Sequence, residues 1–432
     1  MTRPFRFSHG LPLPEEPLKR RAFLASMGAL ALIAEPASAT PAKPAAKPAA
    51  KSTRPAGKHS KPAAKPAARS AAPERSPVHT AGKPVIDEPP QGTSAARLPP
   101  VRAAEPPAEW TTYEIVTRID LRNQEGLCKL WLPLPLNQDT LYQRTLSHAW
   151  EGNPARASMR RQPDGNLEVF ACEWADGRAG TLQLTTQVST ADRHFDVARR
   201  TVAPEREDIL RRNLQASRLI PNDGLAFQLG ERIIGRVKDP VAQAKVIYEW
   251  VVEQAVYDPA LAGPGSGDVR QQLSSGHYGG GSADISGLFV AICRAIGIPA
   301  RCVFGLRVGP SRLFRSLGLD SADATRGQHV RAEFYVPGYG WIPVDPSDVR
   351  RAIARENLSD QDSRLSALKR VLFGVWEMNW IAYNVGLDIT LNGLPEPIPF
   401  LLLPRLETPR GTFDGADPAA IAYSISARRI EL

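Results

Sequence analysis

The sequence predicts an α+β protein in which a helix packs on an antiparallel sheet, preceded by a small β-sandwich domain and a disordered N-terminal segment. Three observations support this fold class. Apolar residues recur at helical spacing over 241–254 and again over 285–296. Short β-branched runs, separated by turn residues, fill 109–200. Residues 40–108 carry almost no large apolar side chains, so burial cannot offset their chain entropy.

Residues 1–39 have the parts of an export signal. Lys19-Arg20-Arg21 precedes an apolar stretch that runs to about Ala34, and Ala37-Ser38-Ala39 supplies a small-residue cleavage site. The adjacent arginines indicate a twin-arginine type, although an ordinary secretion signal or a buried helix also fits this composition. We predict a signal peptide over 1–39 and a mature chain without a transmembrane anchor. Its expected location is the periplasm or another exported location.

Residues 40–108 are predicted to form a disordered linker rich in alanine, proline and lysine. They contain 15 prolines and 18 alanines, and proline fixes φ and has no amide donor. We expect an extended, polyproline-like spacer. Its 12 basic residues against 4 acidic ones would attract an anionic cell-envelope surface. A solvated spacer without a partner fits the same composition.

The formal charge of +9 arises from an excess of basic residues in the N-terminal part of the chain, before Glu109. From Glu109 onward there are 37 basic and 38 acidic residues. Because phosphate binding needs clustered positive charge, the folded body is not expected to bind nucleic acid. No apolar run reaches the roughly 18 residues that a membrane span requires, which excludes a membrane-embedded protein.

The first folded part shows the pattern of short strands. Four runs have partial alternation and β-branched content: 112–121, 127–133, 166–170 and 181–186. Turn residues such as Pro163-Asp164-Gly165 separate them. We therefore predict a small β-sandwich domain over 109–200. His148 and His194 are isolated in this part, so each is interpreted as a structural or surface histidine.

The next part of the chain predicts helices followed by strands. Asp239-Pro240 marks the start of a helix over 241–254. After a glycine run at 279–281, the apolar residues of 285–296 mark the core face of a second helix, which Gly297-Ile298-Pro299 ends. Strands are then predicted at 301–306, 328–336 and 341–346.

This arrangement resembles the core of the bacterial transglutaminase-like superfamily, which has a papain-like cysteine protease fold. The resemblance rests on a glycine-led helix start, on RAIGIPARCVFGLRVG at 294–309, and on a strand that opens with histidine followed by one that closes in Asp-Pro. The flanking motifs YEWVV, YDP and WEMNWIAYN fit as well. The resemblance covers 205–385, the predicted core domain, and leaves 386–432 as a β-rich C-terminal extension.

The resemblance implies a site of three residues. In that superfamily a cysteine at a helix N-terminus is the nucleophile, a histidine on the next strand is its base, and an aspartate orients the histidine. His329 and Asp345 match the last two positions, and the nucleophile position falls on Ser282. A helix N-terminus favours negative charge and lowers the pKa of a thiol there. The candidate catalytic residues are therefore Ser282, His329 and Asp345, and neither a cofactor nor a metal ion is expected.

Serine at position 282 leaves two interpretations open. The helix dipole contributes at most about 1–2 kcal/mol, which leaves a hydroxyl protonated, so Ser282 would need His329 to remove its proton during attack. Otherwise Ser282 is simply the N-cap of its helix. We predict an exported, non-catalytic or weakly active protein that binds peptide, protein or envelope substrates. The alternative is an active Ser-His-Asp amidase, peptidase or acyltransferase that acts on extracytoplasmic peptides.

The four cysteines lack the spacing of a zinc site. An oxidising compartment would permit disulfides, and four buried free thiols are an equally good interpretation. The residues concerned are Cys128, Cys172, Cys293 and Cys302.

A few further residues lie near the predicted site. His277 precedes Ser282 on a loop, where an exposed histidine is expected. Trp250, Tyr278 and Trp341 are interpreted as core residues, with the wall of a substrate groove as the alternative. The amide of Ser282 is the candidate oxyanion donor, because it lies at the start of a helix.

Overall fold

The computed structural model describes residues 109–121, 124–162, 164–195 and 202–431. The predicted signal peptide (1–39) and linker (40–108) lie outside these residues. Within the described ranges, no helix combines the length and the apolar character that a membrane crossing requires.

The first part of the described chain consists of strands: β1 (Thr111–Asp120), β2 (Cys128–Leu134), β3 (Gln143–Gly152), β4 (Arg156–Gln162), β5 (Leu167–Trp174), β6 (Thr181–Thr190) and β7 (Arg193–His194). The four strands predicted from the sequence correspond to β1, β2, β5 and β6. The sequence did not predict β3 and β4, because both are solvent-exposed edge strands and lack alternating apolar residues.

Helices appear from residue 207 onward: α1 (Glu207–Arg212), α2 (Gly224–Ile234), α3 (Pro240–Gln254), α4 (Val269–Ser275), α5 (Ser282–Ala295), α6 (Pro346–Glu356) and α7 (Ser363–Val371). The remaining strands are β8 (Val256–Tyr257), β9 (Gly279–Gly280), β10 (Ala300–Arg307), β11 (Gln328–Val336), β12 (Gly340–Val344), β13 (Val375–Trp376), β14 (Trp380–Asn384), β15 (Arg405–Thr408), β16 (Gly411–Asp414) and β17 (Ala422–Ile430).

Two antiparallel sheets form the β-sandwich, with strand orders β17-β1-β6-β3 and β16-β15-β2-β5-β4. The last strands of the chain complete both sheets. Thr112 of β1 pairs with Ile430 of β17, and Leu130 of β2 pairs with Leu406 of β15. The segment 386–432 thus supplies strands to the same sandwich as the strands of 109–190.

The core contains a third antiparallel sheet, in the order β12-β11-β10-β14, and α5 packs on β10 and β11. Every residue of α5 except Ala295 is buried. A helix without a polar face has to be enclosed on all sides, and α2, α3, α4 and α6 pack around α5. The predicted α+β fold class, in which a helix packs on an antiparallel sheet and a β-sandwich precedes it, is confirmed.

Local sequence signals determine where the core helices begin and end. The Asp239 side chain accepts a hydrogen bond from the Ala242 amide at 2.8 Å, and proline follows it in the first turn of α3. After α5, Gly297 takes a φ of +89°. The Ile298 amide then donates to the Cys293 carbonyl at 2.9 Å, which is the bond of a Schellman motif. The predicted start of the first helix and end of the second are confirmed.

All four cysteines are buried free thiols. Burial raises the pKa of each thiol above its ordinary value. None of them therefore has the lowered pKa of a nucleophilic cysteine.

Candidate active site

The candidate site lies at the start of α5. Gly281 is the N-cap of this helix and Ser282 is its first residue, with 5% of its surface exposed. The Ser282 Oγ accepts a hydrogen bond from the Val330 amide of β11 at 3.1 Å. The interpretation of Ser282 as the N-cap was wrong, because its hydroxyl contacts the neighbouring strand and not its own helix.

Two serines of α5 bind the same residue of β11. Ser286 lies one turn after Ser282, and its hydroxyl donates to the Val330 carbonyl at 2.9 Å. The amide and the carbonyl of Val330 are thus both satisfied by α5 side chains. Because residues four apart lie on one face of a helix, this pair fixes α5 against the strand that carries His329.

His329 and Asp345 form a hydrogen-bonded pair. The distance between His329 Nε2 and Asp345 Oδ2 is 2.8 Å, and both side chains are buried. Trp380 also donates to the backbone carbonyl of His329, at 3.2 Å. A neutral imidazole that donates from Nε2 carries its free lone pair on Nδ1, the nitrogen that could then act as a base.

Hydrogen bonds to Oδ1, the carboxylate oxygen that does not contact His329, orient Asp345. Asp345 is the N-cap of α6, with Pro346 in the first turn. Its Oδ1 accepts hydrogen bonds from the Asp348 amide and the Ser347 hydroxyl, each at 2.9 Å. The Asp-Pro motif therefore both starts a helix and holds the carboxylate that contacts His329.

Two buried arginines balance the acidic residues. Arg307 forms a bidentate ion pair with Asp348, and the Arg331 Nε lies 3.2 Å from Asp345 Oδ2. The Arg331 guanidinium also lies over the Trp380 ring, 4.6 Å from its centroid. With His329 neutral, two positive and two negative charges cancel.

The electrostatics of the site favour the neutral form of His329. Burial, reinforced by the charge of Arg307, lowers the pKa of His329, although Asp348 and Asp345 act in the opposite direction. The pKa of Asp348 is also lowered: burial raises it, but Arg307 and the other nearby positive charges outweigh that effect. A proton on the imidazole would add an unbalanced charge to a dry region.

The distances among His329, Asp345 and Asp348 would suit a metal ion, since one ligand atom from each lies within 4.8 Å of the others. However, Arg331 and Arg307 already neutralise the two carboxylates. Their positive charges disfavour a cation at this position.

A loop before α5 is tied to the helix start through Asp284. Its Oδ1 accepts from the Gly267 amide at 2.8 Å, and its Oδ2 accepts from the Gly281 amide at 2.7 Å. Gly265 has a φ of +95°, and a Cβ there would lie 1.8 Å from Oδ2. The position therefore requires glycine, and Asp284 ties two points of the chain before Ser282, Gly267 and Gly281, to the start of the helix.

Ser282 and His329 line one cleft of about 620 Å³. The wall also includes the Tyr257 side chain and the loop 259–263. The structure thus places Ser282 and His329 in the wall of one cleft, and Asp345 is fully buried in contact with His329. Within the described residues, however, no hydrogen bond joins Ser282 to His329.

The other sequence candidates lie elsewhere. His277 is exposed, and its Nδ1 lies 3.0 Å from the Ser275 carbonyl oxygen. Trp250 and Tyr278 pack edge to face against each other, and Trp341 donates to Glu205. None of these four residues lines the cleft. His148 bonds Thr186 in the sandwich, and His194 is exposed.

The sequence reasoning missed Asp284, Arg307, Arg331 and Asp348. Asp348 had a weak signal, because it lies three residues after Asp345 in the first turn of a predicted helix, where acidic residues are favoured. The two arginines had no usable signal, because their partners are distant in sequence and are brought close only by the sheet.

Comparisons with known proteins agree with this architecture. Residues 228–346 match the sequence model of the transglutaminase-like superfamily, and this range includes Ser282, His329 and Asp345. An uncharacterized protein of Haemophilus influenzae is 31% identical over 340 residues, which span 74% of this chain and 91% of that protein.

Solved structures show a more distant similarity. A proposed cysteine protease from Cytophaga hutchinsonii is 16% identical, with a TM-score of 0.42 over 74% of this chain and 99% of that chain. The periplasmic domain of TgpA from Pseudomonas aeruginosa is 17% identical, with a TM-score of 0.30 over 60% of this chain and 92% of that chain.

Proposed function

The chain belongs to the transglutaminase-like superfamily, and on that premise we propose that it is an exported protein whose cleft binds peptides without effective catalysis. In this proposal Ser282 stands at the nucleophile position. The observation that carries it is the hydrogen bond between the Ser282 Oγ and the Val330 amide. That bond gives the hydroxyl a structural role and leaves the His329–Asp345 pair without a bound nucleophile.

The chemistry of serine supports this proposal. The start of α5 can favour an anion by about 1–2 kcal/mol, which assists a thiol with a free pKa near 8.5. An alcohol stays protonated under the same influence. The buried and electrically balanced surroundings of His329 preserve the shape of the cleft, so a peptide could be held there without being cleaved.

Assays with purified full-length protein test the proposal. We expect peptides to bind and their amide bonds to stay intact, and we expect Ser282→Ala to leave peptide affinity within about two-fold, because the hydroxyl faces the strand. Amide hydrolysis or acyl transfer that disappears in Ser282→Ala would contradict the proposal. Ser274→Ala, at an exposed position of α4, is the matched control.

A second candidate function is a Ser-His-Asp amidase or peptidase. The 2.8 Å contact between His329 and Asp345 favours it, since this pair is the base and its orienting group in such a triad. The Ser282 oxygen accepts from Val330, so its own proton stays available for donation to a base. The Ser282 amide would then serve as the oxyanion donor at the helix start.

Covalent labelling separates the two functions. An active serine hydrolase should be labelled at Ser282 by a fluorophosphonate, and His329→Gln should abolish the labelling. We expect no labelling of the folded wild-type chain. A modified peptide containing Ser282, identified by mass spectrometry and absent from His329→Gln, would establish the second function in place of the first.

Export belongs to the same proposal and rests on residues 1–39. We expect the wild-type chain in the periplasmic fraction of its host, and retention in the cytoplasm when Arg20 and Arg21 are both replaced by lysine. Arg3→Lys is the control, because Arg3 lies outside the pair. Cytoplasmic wild-type protein would contradict export, and unchanged secretion of the double variant would contradict the twin-arginine route.

A further inference from the structure

The wall of the cleft carries more positive than negative side chains. The charged residues of this wall are four arginines and two carboxylates. They are Arg315, Arg326, Arg351, Arg355, Asp320 and Glu356. This excess is local, since the body from Glu109 onward has 37 basic and 38 acidic residues. The net charge of the chain therefore does not explain it.

Both carboxylates in the wall already have donors. Asp320 Oδ1 lies 2.7 Å from the Arg315 Nε. Glu356 Oε1 accepts a hydrogen bond from the Ser316 amide at 2.8 Å. The first contact neutralises one of the four arginines, whereas the second satisfies Glu356 as an acceptor and leaves its negative charge in the wall.

The other three arginines donate hydrogen bonds to neutral groups or face water. Arg351 donates to the Tyr257 hydroxyl at 2.6 Å and to the Ser316 carbonyl at 2.7 Å. Arg355 donates to the Pro259 carbonyl at 2.8 Å, and Arg326 is exposed. Among the described residues, none of these three forms an ion pair with a carboxylate. Three guanidinium groups thus lack an ion pair, and the four arginines and two carboxylates give this concave surface a net charge of 4 − 2 = +2.

We propose that this arginine wall recognises the carboxylates of an acidic peptide that lies across the cleft. The inference rests on the proposed peptide-binding function and specifies its ligand. A guanidinium group matches a carboxylate with two parallel hydrogen bonds, and a concave wall of one charge raises the local concentration of the opposite charge. The exposed heads of Arg326 and Arg355 are the contact groups, and Arg351 holds Tyr257 in the wall.

An apolar residue in the same wall distinguishes a peptide from a simple anion. Leu261 lies on the loop that borders the cleft and is 41% exposed. A peptide offers apolar side chains to Leu261 and carboxylates to the arginines, whereas inorganic phosphate or polyphosphate offers only charge. The combination of arginine and leucine therefore favours an acidic peptide.

Fluorescence anisotropy on the full-length chain tests the inference. The probes are a labelled short peptide that alternates glutamate with alanine or leucine, and its counterpart with glutamine in place of glutamate. At about 50 mM salt, where charges interact over more than 10 Å, we expect the acidic peptide to bind about ten-fold more tightly. Arg326→Gln and Arg355→Gln should each weaken it about three-fold, and about ten-fold together.

The control variant is Arg232→Gln, because Arg232 is an exposed arginine of α2 outside the cleft. It should leave both affinities unchanged. The basic segment 40–108 attracts the acidic peptide equally in every variant. The contribution of the cleft arginines is therefore measured as the difference in affinity between variants. Binding of the glutamine peptide should change less than two-fold in the arginine double variant, which shows that the cleft stays folded.

The outcomes separate the inference from the function on which it rests. Equal affinity for the two peptides, or an acidic peptide that binds Arg326→Gln/Arg355→Gln as tightly as the wild type, would overturn the inference and leave peptide binding intact. Displacement by tripolyphosphate at lower concentration than by unlabelled acidic peptide would overturn it in favour of a phosphate ligand. Failure of every peptide to bind would refute the proposed function itself.

Discussion

The hydroxyl oxygen of Ser282 accepts a hydrogen bond from the Val330 amide at 3.1 Å, one residue beyond the histidine that contacts Asp345. The helix start and the histidine strand are therefore connected through a backbone amide. A cysteine in place of Ser282 would be a weaker acceptor for that amide, since sulfur is a poor hydrogen-bond acceptor. Ser282 therefore has a structural role, as the acceptor for the Val330 amide, that does not depend on catalysis.

A thiol introduced at position 282 should be reactive. In Ser282→Cys the thiol lies at the start of α5 beside a neutral imidazole, and both features promote ionisation. We expect alkylation by iodoacetamide near neutral pH to be at least about ten-fold faster than at any native cysteine, because burial raises the pKa of all four native thiols.

The matched control for this substitution is Ser286→Cys, one turn along α5 and fully buried. Mass spectrometry reports which thiol is modified, and release of an amine from peptide amides reports catalysis. A gain of thiol-dependent amidase activity is expected, and it should disappear in Ser282→Cys/His329→Gln. Equal alkylation rates for the two cysteine variants would show that the helix start does not activate a nucleophile.

The pKa of His329 should make stability depend on pH. Because the folded-state pKa is lowered, the unfolded chain, whose imidazole titrates near pH ~6.5, takes up its proton first as the pH falls. The contribution of His329 to the free energy of unfolding is fully present above about pH 6.5 and is lost as the pH falls towards the folded-state pKa. Urea unfolding at several pH values measures this loss.

The histidine variant isolates the effect. In His329→Gln the decline of the unfolding free energy below about pH 6.5 should be shallower than in the wild type, whereas His194→Gln, at an exposed site, should keep the wild-type slope. NMR of labelled histidine gives the pKa directly. An imidazole of His329 that titrates at or above the free value would refute the assignment of a neutral base.

Asp284 should be far more important for stability than the other aspartate near this loop. Asp284→Asn replaces an oxygen that accepts from a buried amide, at Gly267 or Gly281, with an amino group that cannot accept. An unsatisfied buried donor costs about 1–3 kcal/mol, so the free energy of unfolding should fall by that amount.

Asp268→Asn is the control, because Asp268 is a half-buried N-cap that accepts from the Gln271 amide, and asparagine caps helices about equally well. Urea unfolding of both variants should show a loss for Asp284→Asn and a change within about 0.5 kcal/mol for Asp268→Asn. Equal losses would mean that Asp284 does not hold the loop to the helix start.

The buried ion pair of Arg307 and Asp348 should also be costly to break. Asp348→Asn leaves the Arg307 guanidinium without its counter-charge in the interior, and such a change typically costs about 3–5 kcal/mol. The pair of the half-buried Glu114 and the exposed Arg428, 2.8 Å apart, provides the comparison. Glu114→Gln should cost less than about 1 kcal/mol. Similar unfolding free energies for the two variants, measured in urea, would contradict the structural role of the buried pair.

The sequence predicted those elements whose signals are local. The strand at 328–336 coincides with β11, and the capping signals around Asp239 and Gly297 gave the ends of two helices. β3 and β4 escaped prediction because edge strands lack a buried face and hence an apolar alternation.

The environment of the candidate site was harder to predict. The motif positions of Ser282, His329 and Asp345 came from the family resemblance. In the structure the first two line one cleft and the third contacts His329. The Val330 amide that binds Ser282 lies 48 residues away in sequence, and Asp348 lies 41 residues from Arg307. These contacts join elements that are distant in sequence, α5 with β11 and β10 with α6. They have no signature in a single sequence.

The pairing of β1 with β17 has a consequence for how the protein is made. Thr112 of β1 pairs with Ile430 of β17, so this sheet cannot be completed until residue 430 has left the ribosome. Until then β1 has an open side that other chains could join. A truncation that removes β17 would leave that side of β1 open permanently.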